Sequence, residues 1–297
     1  MQAEAIRSVL FVPADREDRM LKALATQADA VILDLEDAVA PERKAYARSA
    51  ARAVLEGAAR ACEKPVFVRI NAFDTGLAAQ DLAGVLGGGP FGIVLPKASG
   101  GADLWRLSHM LDALEAREDI TLGQTRILSI ATETAAATLG LSEAGLASKM
   151  PPRLCGLLWG GEDLAAALGA ASNREMDGSY SYVYQLARAQ TLLAANAWEV
   201  AAIDAVCTEF RDLTLLEHEA QLARRDGFTA KAAIHPAQIE VINRILTPSA
   251  AEIDVAAQIL AALEETGVAQ LNGRMVDIAH KRIALRVMAR AKALNVL

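Results

Sequence analysis

Acidic side chains gather directly after short apolar segments of this chain, where each segment gives way to a polar stretch. Three of these segments are followed by Asp34, Glu36, Asp37, Glu133, Glu162 and Asp163. Carboxylates without cysteine or histidine beside them are the ligands that Mg²⁺ or Mn²⁺ prefers, whereas zinc favours cysteine and histidine. Magnesium commonly takes one or two carboxylates and completes its shell with water and substrate oxygens. The pattern therefore predicts a hard divalent cation bound by Glu133 and by either Glu162 or Asp163.

An alternative role for these acids is to cap helices, because Asp and Glu are frequent in the first turn of a helix. Arg69, which lies at the end of a fourth apolar segment, favours ligand binding instead. A guanidinium pairs with a carboxylate through two parallel hydrogen bonds, so a cation site beside Arg69 suits a substrate with a carboxylate. Two further candidates are Arg16, as a contact for phosphate groups, and the backbone N–H groups near Gly161, as donors to a charged oxygen.

The elements that position these residues are eight short apolar segments separated by longer amphipathic ones. The predicted strands are Ser8–Pro13, Ala30–Glu36, Pro65–Asn71, Gly92–Lys97, Arg126–Thr132, Cys155–Gly160, Val200–Val206 and Ala230–His235. Each is nearly continuous in apolar residues, as in strands that are buried on both faces of a parallel sheet. Eight strand–helix units in series predict an α/β fold, a (β/α)8 TIM barrel. The alternative, an open doubly wound sheet, needs a switch point that the sequence does not reveal.

The pattern changes after His235. Three helices are predicted there, over Pro236–Leu246, Ser249–Gly267 and Asp277–Leu294, with no further strand of the barrel type. We therefore predict a catalytic barrel domain over residues 1–235. Residues 236–297 are predicted to form the closing helix and a C-terminal helical extension that acts as a lid.

Composition narrows the classes of partner. The 297-residue chain carries 30 Lys and Arg against 37 Asp and Glu, so its formal net charge is −7. An acidic balance argues against nucleic acid or an acidic membrane surface as a partner. The three cysteines have neither the spacing of a zinc site nor the even number of a disulfide framework. Since the N-terminus lacks a signal-peptide pattern and no apolar run reaches membrane-spanning length, we expect a soluble, cytoplasmic protein.

Segments along nearly the whole chain resemble, in the same order, the citrate lyase β-subunit-like proteins of the HpcH/HpaI aldolase superfamily. They are SVLFVPADREDRM, VILDLEDAVAPERKAYAR, PVFVRIN, GIVLPKA, ATETA, GGEDLAAALG, AIDAV, GFTAKAAIHPAQIEVINRILTPS and GRMVD. The resemblance implies a (β/α)8 barrel that forms a homotrimer or hexamer, with a C-terminal segment that closes over a neighbouring subunit's site. It also implies Mg²⁺ bound by Glu133 of the ATETA segment and by Asp163 of the GGEDL segment.

The same resemblance implies roles for other side chains. Arg69 of the VRIN segment would bind the carboxylate and carbonyl of a 2-oxoacid. Asp277 of the GRMVD segment would be the acid/base group that the lid delivers. The acidic residues expected to order metal-bound waters are Asp34, Glu36 and Asp37.

The chain departs from the family pattern at two turns. Pro13-Ala14 stands where the family usually has Pro-Gly, which removes conformational freedom from a turn near the ligand. Asn272-Gly273 precedes the GRMVD segment where relatives often have Asp-Gly, and no proline follows before Arg282. The geometry of the lid is therefore less constrained by the resemblance than the cation site is.

We expect a Mg²⁺- or Mn²⁺-dependent carbon–carbon lyase. It would cleave or form a small 3-hydroxyacyl-CoA, such as malyl-CoA or citramalyl-CoA, with acetyl-CoA and a 2-oxoacid as the other side of the reaction. Four different functions stay open: the β subunit of a citrate lyase complex acting on a carrier-bound citryl thioester, a CoA-independent class II 2-oxoacid aldolase, an aldolase with a Schiff base at Lys97, and a non-catalytic binding protein.

Overall fold

A computed structural model describes the backbone of residues 5–147, 150–264 and 266–297, and the side chains of these ranges apart from 142–147. Eight parallel strands close into a barrel in chain order. They are β1 Ser8–Pro13, β2 Ala30–Asp34, β3 Val66–Arg69, β4 Gly92–Leu95, β5 Arg126–Ile130, β6 Leu154–Leu158, β7 Ala201–Asp204 and β8 Ala230–Ala233. The predicted (β/α)8 barrel is confirmed, and all eight predicted strands are present, although β6 begins one residue earlier than predicted.

Helices follow the strands on the outside of the barrel. They are α1 Glu17–Ala25, α2 Lys44–Val54, α3 Ala78–Val85, α4 Gly101–Arg117, α5 Ala135–Ala147, α6 Gly161–Leu168, α7 Tyr182–Ala197 and α8 Leu213–Asp226. The main apolar core lies between these helices and the strands, and a second cluster fills the barrel interior. Because the strands are apolar on both faces, the side chains on one face pack against the helices and those on the other face pack inside the barrel.

The C-terminal extension contains an element that the sequence analysis missed. Beyond the barrel lie α9 Gln238–Leu246, α10 Ala250–Ala262, β9 Val268–Leu271, β10 Arg274–Asp277 and α11 Ile278–Ala293. The segment predicted to be a linker, together with the predicted first residue of the last helix, Asp277, is an antiparallel hairpin of β9 and β10. Asn272 and Gly273 both have positive φ, of 50° and 76°, as a two-residue type I′ turn requires. Asn-Gly therefore makes a tight turn here.

The last helix returns to the barrel. The Arg290 guanidinium donates to the carbonyl of Leu246, at 2.9 Å, and to that of Thr229, at 2.6 Å. Since Thr229 directly precedes β8, the end of α11 lies at the amino-terminal side of the barrel. The domain boundary at residue 235 stays a prediction.

One stretch, Gln238–Ala262, is long and apolar enough on average to resemble a membrane span. It consists of two helices, α9 with 9 residues and α10 with 13, separated by Thr247, Pro248 and Ser249. The Ser249 side chain and the Glu252 carboxylate form a capping box that starts α10 as a separate helix. Neither helix alone has the ~20 residues that cross a bilayer.

Candidate active site

The carboxyl ends of the strands bring the predicted acidic and basic residues to one mouth of the barrel. Asp34 ends β2 and is the register partner of Arg69, which ends β3. Lys97 follows β4, Glu133 follows β5, and Asp163 lies in the first turn of α6 after β6. Because all eight strands are parallel, these residues converge on the face where barrel enzymes bind substrates.

Arg69 is held by two carboxylates. Its Nε and Nη2 atoms donate to the two oxygens of Asp34, at 2.7 and 2.6 Å, and Nη1 lies 2.8 Å from Oε2 of Glu36. The guanidinium carbon is 5.1 Å from the centre of the Phe11 ring. Burial alone would lower the pKa of Arg69, but the charge and hydrogen bonds of Asp34 raise it. Arg69 is thus a fixed cation whose orientation is set before any ligand arrives.

Lys97 links four carboxylates. Its Nζ lies 2.6 Å from Oε1 of Glu36, 3.1 Å from Oδ1 of Asp163 and 3.2 Å from Oδ2 of Asp37, while its backbone N–H donates to Glu133. Lys97 has a φ of 51°, which is uncommon for a residue with a side chain and is frequent at functional sites. With this backbone conformation, the N–H of Lys97 donates to Glu133 while its ammonium group contacts the other three carboxylates.

Glu133 is buried at the mouth, with an exposed fraction of 2%. Burial raises its pKa well above the usual value, and the neighbouring charges of Asp163 and Glu36 raise it further. Room for the side chain depends on Gly160, since a Cβ there would lie only 2.6 Å from Cγ of Glu133. The sequence thus places a carboxylate where its charged form is poorly compensated by the protein.

The mouth as a whole has more acids than cations. Five carboxylates lie together, namely those of Asp34, Glu36, Asp37, Glu133 and Asp163, and the cations that contact them directly are Arg69 and Lys97. Burial raises the pKa of Glu36 as well, despite both cations. Within the described ranges no group of three or more His, Cys, Asp or Glu side chains is arranged to hold a metal. A donor set of one or two carboxylates, completed by water and substrate oxygens, is what Mg²⁺ accepts.

Two predicted substrate contacts lie at the rim. Gly160 is the N-cap residue of α6, and no side chain caps that helix end. The N–H groups beginning at Gly161 therefore face the mouth without a side-chain partner at the cap. Arg16 is the N-cap residue of α1 and its side chain is 60% exposed, with its Nε 3.8 Å from Oδ1 of Asp15. Ala14 is buried in the preceding turn and needs no positive φ, so the absence of glycine there causes no strain.

Asp277 lies apart from this mouth in the single chain. It is the N-cap residue of α11, and its Oδ1 accepts hydrogen bonds from the backbone N–H groups of Ala279 and His280. The same oxygen is 2.7 Å from Nδ1 of His280, and this hydrogen bond lowers the pKa of Asp277. Across the described residues, every hydrogen bond of its carboxylate stays within α11.

Asp204 belongs to a second ion cluster, outside the barrel wall. Its Oδ1 accepts from Nε1 of Trp159, at 2.7 Å, and from Nε of Arg188, at 2.9 Å. Its Oδ2 is 3.0 Å from Nζ of Lys231, which also lies 3.1 Å from Oε2 of Glu219. This cluster packs between β7, β8 and α8, in agreement with a structural role for Asp204.

Sequence reasoning missed Lys44. Its Nζ donates to the carbonyls of Leu35 and Glu36 and to Oδ1 of Asn71, each at 2.7 Å. It therefore fixes the backbone from which Glu36 and Asp37 project. Lys44 stands in the ERKAYAR segment, but its distance along the chain from Asn71 hides the contact.

Comparisons with known proteins agree with this geometry. The sequence profile of the family HpcH/HpaI aldolase/citrate lyase matches residues 7–236. A (3S)-malyl-CoA thioesterase of Cereibacter sphaeroides is 34% identical over 300 residues, which cover 99% of this chain and 97% of the relative. The mitochondrial citramalyl-CoA lyase of Mus musculus is 32% identical over 309 residues, which cover 97% and 87%.

A solved structure extends the likeness to three dimensions. CitE from Mycobacterium tuberculosis, in complex with magnesium, acetoacetate and coenzyme A, superposes with a TM-score of 0.79 at 34% identity. The match covers 98% of this chain and 99% of that chain.

Proposed function

Because this chain belongs to the HpcH/HpaI aldolase/citrate lyase family, we propose that it is a Mg²⁺-dependent carbon–carbon lyase of small 3-hydroxyacyl-CoA thioesters. Malyl-CoA or citramalyl-CoA would be cleaved to, or formed from, acetyl-CoA and a 2-oxoacid. The observation that carries the proposal is the poorly compensated charge of Glu133, with Asp163 close to it, beside the fixed cation Arg69. The name of the murine relative and the magnesium and coenzyme A in the CitE complex support it.

The reaction breaks the carbon–carbon bond between the hydroxyl-bearing carbon and the thioester α-carbon. The hydroxyl proton goes to a base, and the hydroxyl carbon becomes the ketone or aldehyde of the 2-oxoacid. The bonding pair passes to the α-carbon as a thioester enolate, which takes up a proton to give acetyl-CoA. Malyl-CoA would yield glyoxylate, and citramalyl-CoA would yield pyruvate.

Different residues at the mouth would carry out different parts of this reaction. Glu133 and Asp163 would hold Mg²⁺, for which Mn²⁺ is an alternative, and the cation would supply Lewis acidity toward the hydroxyl and carboxylate oxygens. Arg69 would bind the substrate carboxylate, since its guanidinium is already oriented by Asp34. Asp34, Glu36 and Asp37 would order the waters around the cation.

The thioester half would lie along the rim. The N–H groups at Gly161 would stabilise a charged oxygen, because a helix N-terminus favours anions. Arg16, whose side chain is exposed, would bind a coenzyme A phosphate.

Proton transfer would require a second copy of the chain. Asp277 lies on the C-terminal extension and contacts its own helix rather than the mouth. We propose that a neighbouring subunit of a homotrimer or hexamer delivers its Asp277, and that the closed lid excludes water. A cytoplasmic enzyme without a nucleic-acid or membrane partner is part of the same proposal.

The test is a screen of the purified chain with malyl-, citramalyl- and β-methylmalyl-CoA, with Mg²⁺ or with EDTA, and with mass spectrometry of the products. We expect acetyl- or propionyl-CoA from at least one substrate, only with metal. Asp163→Asn should lose the activity, whereas Asp103→Asn, a matched change in the first turn of α4, should keep it. No cleavage of any of the three thioesters would overturn the proposal, and EDTA-resistant activity trapped at Lys97 by borohydride would favour a Schiff-base aldolase.

A thioesterase is the second candidate, since the relative from Cereibacter sphaeroides is named a (3S)-malyl-CoA thioesterase and matches nearly the whole chain. Hydrolysis would release malate and free CoA, whereas the lyase reaction gives glyoxylate and acetyl-CoA. The same product analysis separates the two. Activity only on a carrier-bound citryl thioester would instead indicate the β subunit of a citrate lyase complex, and activity only on CoA-free 2-oxoacids would indicate a class II aldolase.

A further inference from the structure

A cavity of about 380 Å³ opens at the end of the barrel opposite to the acid cluster. Its lining includes the amino-terminal residues of β5, β6, β7 and β8, with Phe67 and Phe91 on one side and Ala201 and Ala230 among the others. The volume falls in the range of small-molecule sites, roughly 300–1,000 Å³. Strands of four to six residues separate this end from the catalytic mouth.

Small side chains on two neighbouring strands create the space. Barrel interiors are usually filled by layers of valine, isoleucine and leucine. Here the inward-facing residues of β8 are Ala230 and Ala232, and β7 contributes Ala201 beside Ile203. On the opposite wall Phe67 packs edge to face on Phe91, with ring centres 5.1 Å apart. The result is an apolar chamber with one aromatic wall.

Arg126 brings a positive charge to this apolar lining. It begins β5 and lines the cavity, and its side chain hydrogen-bonds with the Cys155 thiol. Among the described residues, none of the ion pairs with carboxylates involves its guanidinium. Glu199 also lines the cavity, but its carboxylate is not within ion-pair distance of Arg126, and the residue is exposed.

The other polar group beside Arg126 is the thiol of Cys155. Burial raises the pKa of Cys155 to about 11, although the Arg126 charge acts in the opposite direction. The thiol therefore stays neutral at physiological pH and cannot serve as the counter-charge. A guanidinium against an apolar wall is a suitable partner for the carboxylate of a ligand.

We propose that this cavity binds a small carboxylic acid with an apolar body, an aromatic or branched acyl acid. The carboxylate pairs with Arg126, and the body lies between the Phe67–Phe91 pair and the alanines of β7 and β8. Because it lies at the far end of the strands, the site is separate from the catalytic mouth. It does not depend on the proposed lyase activity.

The test uses phenylacetate and 4-methylpentanoate as probes, with phenylacetamide as the uncharged match, in isothermal titration calorimetry. We expect the acids to bind at least about tenfold more tightly than the amide, because a charge-assisted pair is lost in the amide. Arg126→Met should weaken acid binding by about the same factor, Arg126→Lys should weaken it less, and Ala230→Leu should abolish it by filling the cavity. Arg286→Met, an exposed change on α11, is the control and should bind as the unchanged protein does.

Two measurements locate the binding. The acids should slow the alkylation of Cys155, followed by peptide mass spectrometry, without slowing that of Cys62, which lies outside the cavity. Binding should also persist in Arg69→Met, whose change is confined to the catalytic mouth. Equal affinity for acid and amide, unchanged binding in Arg126→Met, binding lost in Arg69→Met, or no saturable binding of either acid would each overturn the proposal. Circular dichroism of every variant checks that it is folded.

Discussion

Two clusters of buried charge, at the mouth of the barrel and around Asp204, are built from the same residue types and are balanced in opposite ways. Around Asp204 the buried acids are paired with cations. Burial alone would raise the pKa of Asp204, but the charges of Lys231 and Arg188 lower it. At the mouth the cations are too few, and the pKa of Glu133 is raised well above its usual value. A buried charge is costly unless it is paired, so the first cluster suits a structural role and the second suits a cation from outside the chain.

The position of each cluster relative to the strands explains the difference. The Asp204 cluster lies between the barrel wall and α8, where side chains from β7 and β8 meet those of the helices. Asp204 also ends its strand, but the mouth cluster lies at the open end of the barrel, where a ligand can enter. Buried charge alone therefore does not mark an active site, whereas buried charge without enough internal partners does.

The largest expected effect is at the mouth. Glu133→Gln should lower kcat/KM by roughly 10³–10⁴, about 4–6 kcal/mol in activation free energy, because it removes a ligand of the catalytic cation. Its free energy of unfolding should stay the same or rise, since the amide removes a poorly compensated buried acid. Steady-state kinetics and urea unfolding without metal measure the two quantities. Glu162→Gln, one residue before Asp163, is the control. A loss of several kcal/mol of unfolding free energy in Glu133→Gln would contradict the inferred difference between the mouth and the Asp204 cluster.

The next effect concerns the structural cluster. Lys231→Met should cost about 3–5 kcal/mol of unfolding free energy, because it leaves Asp204 and Glu219 buried without their shared cation. The folded fraction should retain its kcat/KM. Lys22→Met, at a side chain that is 78% exposed, should change stability by no more than about 0.5 kcal/mol. If Lys231→Met were as stable as Lys22→Met, the cluster would not stabilise the fold as inferred.

The smallest effect is a difference in pH dependence. Asp204 has a lowered pKa in the folded state, so its carboxylate stabilises the fold at pH values above its usual pKa of 3.8. This contribution is lost as the pH falls through the pKa of the folded state. Glu133 has a raised pKa in the folded state, so its contribution to the free energy of unfolding is greatest at pH values below its usual pKa of 4.5. This contribution is lost as the pH rises through the pKa of the folded state.

Urea unfolding in EDTA across a pH series measures both slopes. Glu133→Gln should flatten the decline in stability above pH 4.5, and Asp204→Asn should flatten the decline below pH 3.8. An unchanged decline above pH 4.5 in Glu133→Gln would contradict the account of the mouth.

The strands and the residues that follow them could be predicted from sequence, because continuous apolar segments mark buried parallel strands and parallel strands share their carboxyl ends. The hairpin of β9 and β10 was missed because its strand residues are mostly exposed and carry no strong apolar pattern, although Asn272-Gly273 is itself a hairpin signal. The contacts of Lys97 and Lys44 depend on backbone direction and on loops far apart in sequence. The amino-terminal cavity depends on which side chains face each other across the barrel, which no local pattern records.

The two-residue turn at Asn272-Gly273 has a consequence for how related sequences can diverge. With no slack between β9 and β10, one inserted residue would turn every later side chain of the hairpin to the other face. Asp277 ends that hairpin, so the length of the turn sets the face on which its side chain lies, and Ala279 and His280 then hold its carboxylate. Homologues that vary in length here should do so by whole pairs of residues, or should lose the aspartate.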